Sequence, residues 1–195
     1  MTKFNNICGV ILAGGKNLRY HGTEKAFLKI NGKTIIENTL DILKQVFNEI
    51  LIISNKPEKY TAFSLPVFTD IYRNLGPIGG IHSALHNTRL DAIMVFASDM
   101  PFLNKEFINY LIEYFYSVDC DILIPCSDKG IEPLHAIYRK SIIKKLDTFI
   151  KETNDYAISK LFPVVNTKFI KTDKYQAKLS FVNINSPEDI KKIMQ

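Results

Sequence analysis

Short apolar runs rich in β-branched residues alternate with segments of helical periodicity along the first two thirds of the chain. A sheet that helices cover on both faces needs strands that are almost continuously apolar. The β-α-β-α-β order therefore predicts an α/β fold with a mostly parallel, doubly wound sheet. The runs are Ile7 to Leu12, Ile50 to Ile53, Val67 to Thr69, Ala92 to Ala97 and Asp121 to Pro125.

The pattern changes after Pro125. The segment from Leu134 to Tyr138 alternates, which predicts an edge or antiparallel strand, and the segment from Phe181 to Asn185 predicts one more strand. The chain has 195 residues and contains no linker or internal repeat. We therefore expect one domain over residues 1–195, with a C-terminal elaboration of the sheet.

Composition limits the classes of function. The chain is 46% apolar and has no apolar run near the roughly 20 residues that cross a bilayer, so we expect a cytoplasmic protein without a membrane partner. The net charge of +5 comes largely from dispersed lysines, without the aromatic and basic stripe of an RNA-binding sheet. We expect no nucleic-acid partner, and a basic surface suits small anionic substrates.

The stretch LAGGKNLRYHGTEK, residues 12–25, follows directly from the first predicted strand. It is not a Walker P-loop, because Val10 stands where the first glycine is required and Asn17 replaces the hydroxyl residue. It is not a dinucleotide-binding fingerprint, because Gly14 and Gly15 are adjacent. With both motifs excluded, the stretch is interpreted as the end of a strand, a glycine turn and a basic loop.

This basic loop has two interpretations. Glycines at the carboxyl end of a strand let the backbone approach a nucleotide, while Arg19 and Lys25 would neutralise a polyphosphate. The alternative is a plain surface turn.

Two aspartates follow predicted strands. Asp99 ends the buried run at VFAS and could bind magnesium beside a polyphosphate, since open parallel sheets bind ligands beyond the carboxyl ends of their strands. Asp70 ends another strand, and a helix begins after it with Gly76, Gly79 and Gly80, which suits an anion or a close backbone approach. Helix capping and a tight connection are the structural alternatives.

Two further pairs of polar residues are candidates for binding a metal or a phosphate. Asn183 and Asn185 would project from one face of an extended strand and could complete a magnesium shell or hold a phosphate. His82 and His86 are one helical turn apart, but no third ligand lies near them in the sequence, which argues against a metal site.

Taken together, these segments resemble the molybdenum cofactor guanylyltransferases in order and spacing over nearly the whole chain. The segments are LAGG with the loop to Lys25, ISN at 53–55, Asp70 with GPIGGIHSAL, SDMPF, PLHAIYR and FVNINSPEDI. The chain departs from that pattern at Tyr20-His21, where Met-Gly is usual, at Glu24, where aspartate is usual, and at Glu132, where histidine is frequent.

The resemblance implies a three-layer Rossmann-like nucleotidyltransferase that transfers GMP from GTP to molybdenum-molybdopterin and releases pyrophosphate. It implies Mg²⁺ as the cofactor with Asp99 as its ligand, and Lys25, Asp99 and Arg19 as catalytic residues. The substrates would be GTP and molybdenum-molybdopterin, partners could include cofactor-biosynthesis or acceptor proteins, and we expect a monomer. The implied substrate-binding residues are Leu12, Ala13, Gly14, Gly15, Lys25, Asn55, Asp70, Gly80, Asp99, Asn183 and Asn185.

The chemistry agrees with the residues present. An ionised phosphate acceptor needs positioning and charge neutralisation more than a strong base, which explains why no nucleophile-base pair is evident. The alternatives are a cytidylyltransferase of the same cofactor, a sugar-phosphate nucleotidyltransferase, and a nucleotide-binding module without turnover.

Overall fold

A computed structural model describes residues 4–13, 24–128, 130–172, 177–184 and 189. Within these ranges the strands are β1 (Phe4–Leu12), β2 (Lys29–Ile30), β3 (Lys33–Thr34), β4 (Phe47–Ile53), β5 (Val67–Phe68), β6 (Ala92–Ala97), β7 (Ile122–Ser127), β8 (Gly130–Ile131), β9 (Ile137–Arg139) and β10 (Thr167–Lys171). The α-helices are α1 (Ile35–Val46), α2 (Pro77–Asn87), α3 (Lys105–Ser117) and α4 (Ile143–Glu152). Short 3-10 helices span Lys25–Phe27, Pro57–Phe63, Pro133–His135, Lys140–Ile142, Ile158–Lys160, Phe162–Val164 and Ala177–Phe181.

One mixed sheet organises the molecule, in the order β10-β7-β9-β6-β1-β4-β5, with β8 paired to β7. The neighbours β6, β1, β4 and β5 run parallel, as do β10 and β7. Only β9, between β6 and β7, and the short β8 are antiparallel within this sheet of the described chain. The predicted mostly parallel, Rossmann-like sheet with a C-terminal elaboration is confirmed.

Helices cover both faces of the sheet because successive strand residues point in opposite directions. Ile7 and Ile11 of β1 lie in the hydrophobic cluster that contains the apolar faces of α1 and α3. Cys8 and Val10 lie in the cluster that contains those of α2 and α4. Burial on both faces requires the continuous apolar run that the sequence shows.

Two helices on the same face begin at side-chain caps. Thr34 and Glu37 form a capping box at α1, in which each side chain bonds the other residue's backbone N–H. Asn104 Oδ1 accepts the backbone N–H of Phe107 at 2.8 Å and caps α3.

The structure differs from the predictions in the C-terminal third. Of the two alternatives predicted for the alternating segment, the antiparallel strand is confirmed: Ile137–Arg139 runs antiparallel to both of its neighbours and lies inside the sheet rather than at its edge. The predicted strand from Phe181 is wrong over the described residues, because Phe181 ends a 3-10 helix and 182–184 pair with no strand. Among the helices of the described ranges, none combines the length and the apolar character needed to span a membrane.

Candidate active site

Four strands end at one level of the sheet. Leu12 is in register with Ile53 of β4 and with Ala97 of β6, and Ile53 is in register with Phe68 of β5. The chain positions that follow these strand ends therefore lie along the same carboxyl edge. Asn55, Asp70 and Asp99 each come two residues after one of these ends.

Backbone hydrogen bonds continue past the strand ends and fix this edge. The Ala13 N–H donates to the carbonyl of Ile53 at 2.8 Å, and the Ser98 N–H donates to the carbonyl of Leu12 at 3.2 Å. Ala13 is therefore held in the sheet, directly before the glycine pair. The backbone at Leu12 and Ala13 lies where a ligand at the carboxyl edge would meet it.

Lys25 and Asp99 form an ion pair at this edge. The Nζ of Lys25 lies 3.3 Å from Oδ2 of Asp99, and the two side chains are 13% and 15% exposed. They are 74 positions apart in the sequence, so only the fold brings them together. A cation and a carboxylate thus share one partly buried position, where they can act on the same phosphate group.

Glu24 anchors the end of the basic loop. Its carboxylate accepts hydrogen bonds from Lys59 Nζ at 2.8 Å and Tyr60 Oη at 2.9 Å, and Lys56 Nζ lies 3.2 Å away. Partial burial opposes ionisation, but these interactions outweigh it and hold the pKa of Glu24 below its usual value. Glu24 is therefore a carboxylate clamp immediately before Lys25.

Sequence reasoning missed the partners of this clamp. The contacts join positions 35 and 36 residues apart, between the basic loop and the 3-10 helix after β4. No local spacing signals them. The substitution of glutamate for the usual aspartate was the available clue.

Asn55 and Asp70 form a second pair. Asn55 Nδ2 donates to Asp70 Oδ2 at 2.7 Å, and the Asp70 N–H donates to Asn55 Oδ1 at 3.2 Å. The two bonds join the segments that follow β4 and β5. These two predicted substrate-binding residues thus lie together, with Asn55 exposed to solvent.

The glycine-rich start of α2 is explained largely by packing. Gly76 has a φ of +66° at the position before the helix, which favours glycine. A Cβ on Gly79 would lie 2.9 Å from the carbonyl oxygen of Tyr72, and one on Gly80 would lie 3.0 Å from a methyl group of Leu12. Gly80 therefore lets α2 approach β1 closely. Its role in substrate binding stays a prediction.

The C-terminal segment reaches the same edge. The Ile184 N–H donates to the carbonyl of Asp99 at 2.9 Å, which places the exposed Asn183 in the segment beside the ion pair. Asn185, Arg19, Gly14 and Gly15 lie outside the described residues, so their predicted roles stay predictions.

The residues at this edge fit Mg²⁺. This ion is commonly held by one or two carboxylates together with substrate phosphates, and it retains several waters. Asp99 supplies a carboxylate that solvent still reaches, and Lys25 adds the positive charge that draws a phosphate to it. Asp99 is therefore the residue that would hold the ion.

A mostly parallel sheet with an amine and a carboxylate paired at its carboxyl edge has its polar groups where open α/β sheets bind their ligands. The sequence matches the family described as "MobA-like NTP transferase domain" over residues 9–165. The chain belongs to this family of nucleotidyltransferases.

Relatives and solved structures agree with this assignment. A probable molybdenum cofactor guanylyltransferase of Clostridium perfringens is 39% identical over 195 residues, covering 95% of this chain and 94% of the relative. Another from the same species is 50% identical over 131 residues, covering 67% of this chain and 65% of the relative. The crystal structure of molybdopterin-guanine dinucleotide biosynthesis protein A from Archaeoglobus fulgidus superposes with a TM-score of 0.80 at 28% identity, covering 95% of each chain.

Proposed function

We propose that this protein is a molybdenum cofactor guanylyltransferase, which transfers GMP from GTP to molybdenum-molybdopterin and releases pyrophosphate. The observation that carries the proposal is the Lys25–Asp99 pair, 3.3 Å apart at the carboxyl edge of the sheet. The names of relatives that align along nearly the whole chain support the choice of GTP and of the molybdopterin acceptor.

Nucleotide binding uses the ends of β1, β4 and β5. Leu12, Ala13, Gly14 and Gly15 offer backbone that GTP approaches closely, because the two residues directly after Ala13 are glycines. Asn55 and Asp70, held together by two hydrogen bonds, contact the nucleoside. Gly80 keeps α2 close to this surface.

Charge neutralisation is the main catalytic contribution. Lys25 and Arg19 offset the negative charge that moves toward the departing pyrophosphate. Asp99 would hold Mg²⁺, which when bound would supply Lewis-acid polarisation of the phosphate oxygens. When GTP arrives, the amine of Lys25 exchanges its contact with Asp99 for a phosphate.

The acceptor, molybdenum-molybdopterin, approaches on the side of the site that the C-terminal segment forms. Asn183 and Asn185 contact the acceptor or complete the metal site. The phosphate of molybdenum-molybdopterin attacks the α-phosphorus of GTP, the bond to the bridging oxygen breaks, and pyrophosphate leaves. Since this phosphate is already ionised, positioning accelerates the reaction more than proton removal does.

Residues 1–195 form one nucleotidyltransferase domain that acts as a monomer in the cytoplasm. Cofactor-biosynthesis or acceptor proteins deliver and receive the pterin, and nucleic acid and membranes are not partners.

The proposed function is tested by measuring pyrophosphate release. The purified protein is incubated with Mg²⁺, molybdenum-loaded molybdopterin and either GTP or CTP. We expect release with GTP that depends on both Mg²⁺ and the acceptor, and little release with CTP. Asp99→Asn is expected to abolish most of it, whereas Asp41→Asn, at an exposed carboxylate paired with Lys33, serves as the control. Turnover with CTP in place of GTP would refute guanylyl transfer.

A further inference from the structure

Two histidines and an aspartate meet on the sheet face that α2 and α4 cover. His82 and His86 lie one turn apart on α2, and Asp147 reaches them from α4. Oδ1 of Asp147 is 2.7 Å from Nε2 of His82 and 3.3 Å from Nε2 of His86. Among the described residues this is the only group of three such side chains whose ligand atoms all lie within 4.8 Å of one another.

Asp147 supplies the third potential ligand that the sequence around His82 and His86 lacks. The histidine pair has no metal-binding partner nearby in the sequence, but Asp147 lies 65 positions from His82 and is brought to it by the packing of α2 against α4. Histidines at i and i+4 of one helix project from the same face. A carboxylate from a neighbouring helix then completes a three-ligand set.

The donor atoms select the kind of metal. Two imidazole nitrogens and one carboxylate oxygen suit Zn²⁺ and similar transition metals, whereas Mg²⁺ and Ca²⁺ prefer oxygen ligands. Ligands at about 2.0–2.2 Å from a tetrahedral zinc ion lie about 3.4 Å from one another. The contact between His86 and Asp147 already has this spacing, and the one between His82 and Asp147 needs a small opening.

We propose that His82 Nε2, His86 Nε2 and Asp147 Oδ1 bind a Zn²⁺ ion, with water as the fourth ligand. This site goes beyond the nucleotidyltransferase activity and is separate from Asp99. It joins α2 to α4 and so stabilises the folded chain.

The surroundings suit a metal that enters from solvent. His82 is buried, with 1% of its side chain exposed, and its ring packs 5.1 Å from that of Tyr72. His86 and Asp147 are 37% and 32% exposed, which leaves a path to the ligand atoms.

The site also lies next to the candidate nucleoside-binding segment. The Ile71 N–H donates to Oγ of Ser83 at 2.8 Å, so the residue that follows Asp70 is tied to the residue that follows His82. A bound ion would therefore stiffen the support of that segment without contacting the reacting phosphates.

The test uses the full chain in the Asp99→Asn background, stripped of metal with a chelator, and Zn²⁺ alone as the probe. Calorimetric titration at neutral pH is expected to show one Zn²⁺ per chain, with a higher unfolding temperature when Zn²⁺ is present. His86→Ala and Asp147→Asn change partly exposed residues and are each expected to weaken binding at least about tenfold.

Asp155→Asn is the matched control. Asp155 is an exposed carboxylate 3.7 Å from Lys160 and outside the cluster, so this variant should bind Zn²⁺ like the parent. Unfolding without Zn²⁺ verifies that each variant is folded. Equal Zn²⁺ affinity in the parent and in Asp147→Asn, or no stoichiometric binding by the parent, would overturn the proposal, and neither outcome bears on guanylyl transfer.

Discussion

At the scale of single residues, the Lys25–Asp99 pair shows how the fold creates a site that neither residue defines alone. Each side chain is partly buried, and each satisfies the charge of the other within 3.3 Å. A buried charge without its partner is unfavourable, so the pair also holds both groups in place before substrate binds. The same two charges are those that a triphosphate and its metal ion require.

Removal of either charge is expected to slow the reaction strongly. Lys25→Ala and Asp99→Asn should each lower kcat/KM for pyrophosphate release by a factor on the order of 10²–10³, or about 2.7–4 kcal/mol of transition-state stabilisation. Lys33→Ala is the control, because Lys33 pairs with Asp41 on the exposed surface. Rates near those of the wild type in either variant would remove that residue from the site.

His135 is expected to make the protein sensitive to acid. Its ring is fully buried among Phe96, Phe107 and Phe181, and neither ring nitrogen has a hydrogen-bond partner among the described residues. Burial lowers the pKa of His135 from 6.5 to about 3. The unfolded chain therefore binds a proton below pH 6.5 that the folded chain excludes, so stability is complete above that pH and falls below it.

The contribution of His135 can be isolated by substitution. For each pH unit between about 6 and 4, this residue should lower the free energy of unfolding by about 1.4 kcal/mol. His135→Leu removes the buried polar atoms and should flatten this dependence while keeping stability at pH 7.5. Urea unfolding at pH 7.5 and pH 5 tests this, and an unchanged pH dependence in the variant would contradict it.

At the scale of elements, the end of the basic loop is attached to the 3-10 helix Pro57–Phe63. Glu24 makes this attachment through Lys59 and Tyr60, and Lys25 follows it directly. Lys25 is the first residue of the 3-10 helix Lys25–Phe27, which begins directly after Glu24. The position of the Lys25 amine therefore depends on where Glu24 is fixed. Glu24 is thus a positioning residue for Lys25.

Loss of this attachment should impair catalysis more than stability. Glu24→Gln weakens the contacts to two lysines and should lower kcat by about 10- to 100-fold through misplacement of Lys25. Glu24→Asp keeps the carboxylate and should recover part of the activity, and the exposed Glu58→Gln is the control. A wild-type kcat in Glu24→Gln, with an unchanged urea midpoint, would show that the clamp does not position the lysine.

At the scale of the whole molecule, the strands and helices on the two sides of β1 could be predicted because their signals are local. Continuous apolar runs, helical spacing and the Asn104 cap are all readable over a few residues. The position of β9 inside the sheet could not be predicted, because an alternating strand reads the same at an edge as between two neighbours. Phe181 gave a false strand signal, since its ring packs against Phe107 rather than within the sheet.

In the candidate site, too, some residues could be predicted from the sequence and others could not. Asp70 and Asp99 were predictable because parallel strands place their carboxyl ends together. The contacts of Glu24 with Tyr60, and of His82 with Asp147, join residues 36 and 65 positions apart and follow only from the packed structure.

A double-mutant cycle on Lys25 and Asp99 tests most directly whether they form one site. Mg²⁺-dependent pyrophosphate release from GTP is measured for wild type, Lys25→Ala, Asp99→Asn and the double variant. Since the two side chains are in contact, we predict a coupling energy of about 0.5–3 kcal/mol, so that the double variant loses less activity than the product of the single losses. Losses that multiply, within about 0.3–0.5 kcal/mol, would show that the two residues act independently and would contradict the account.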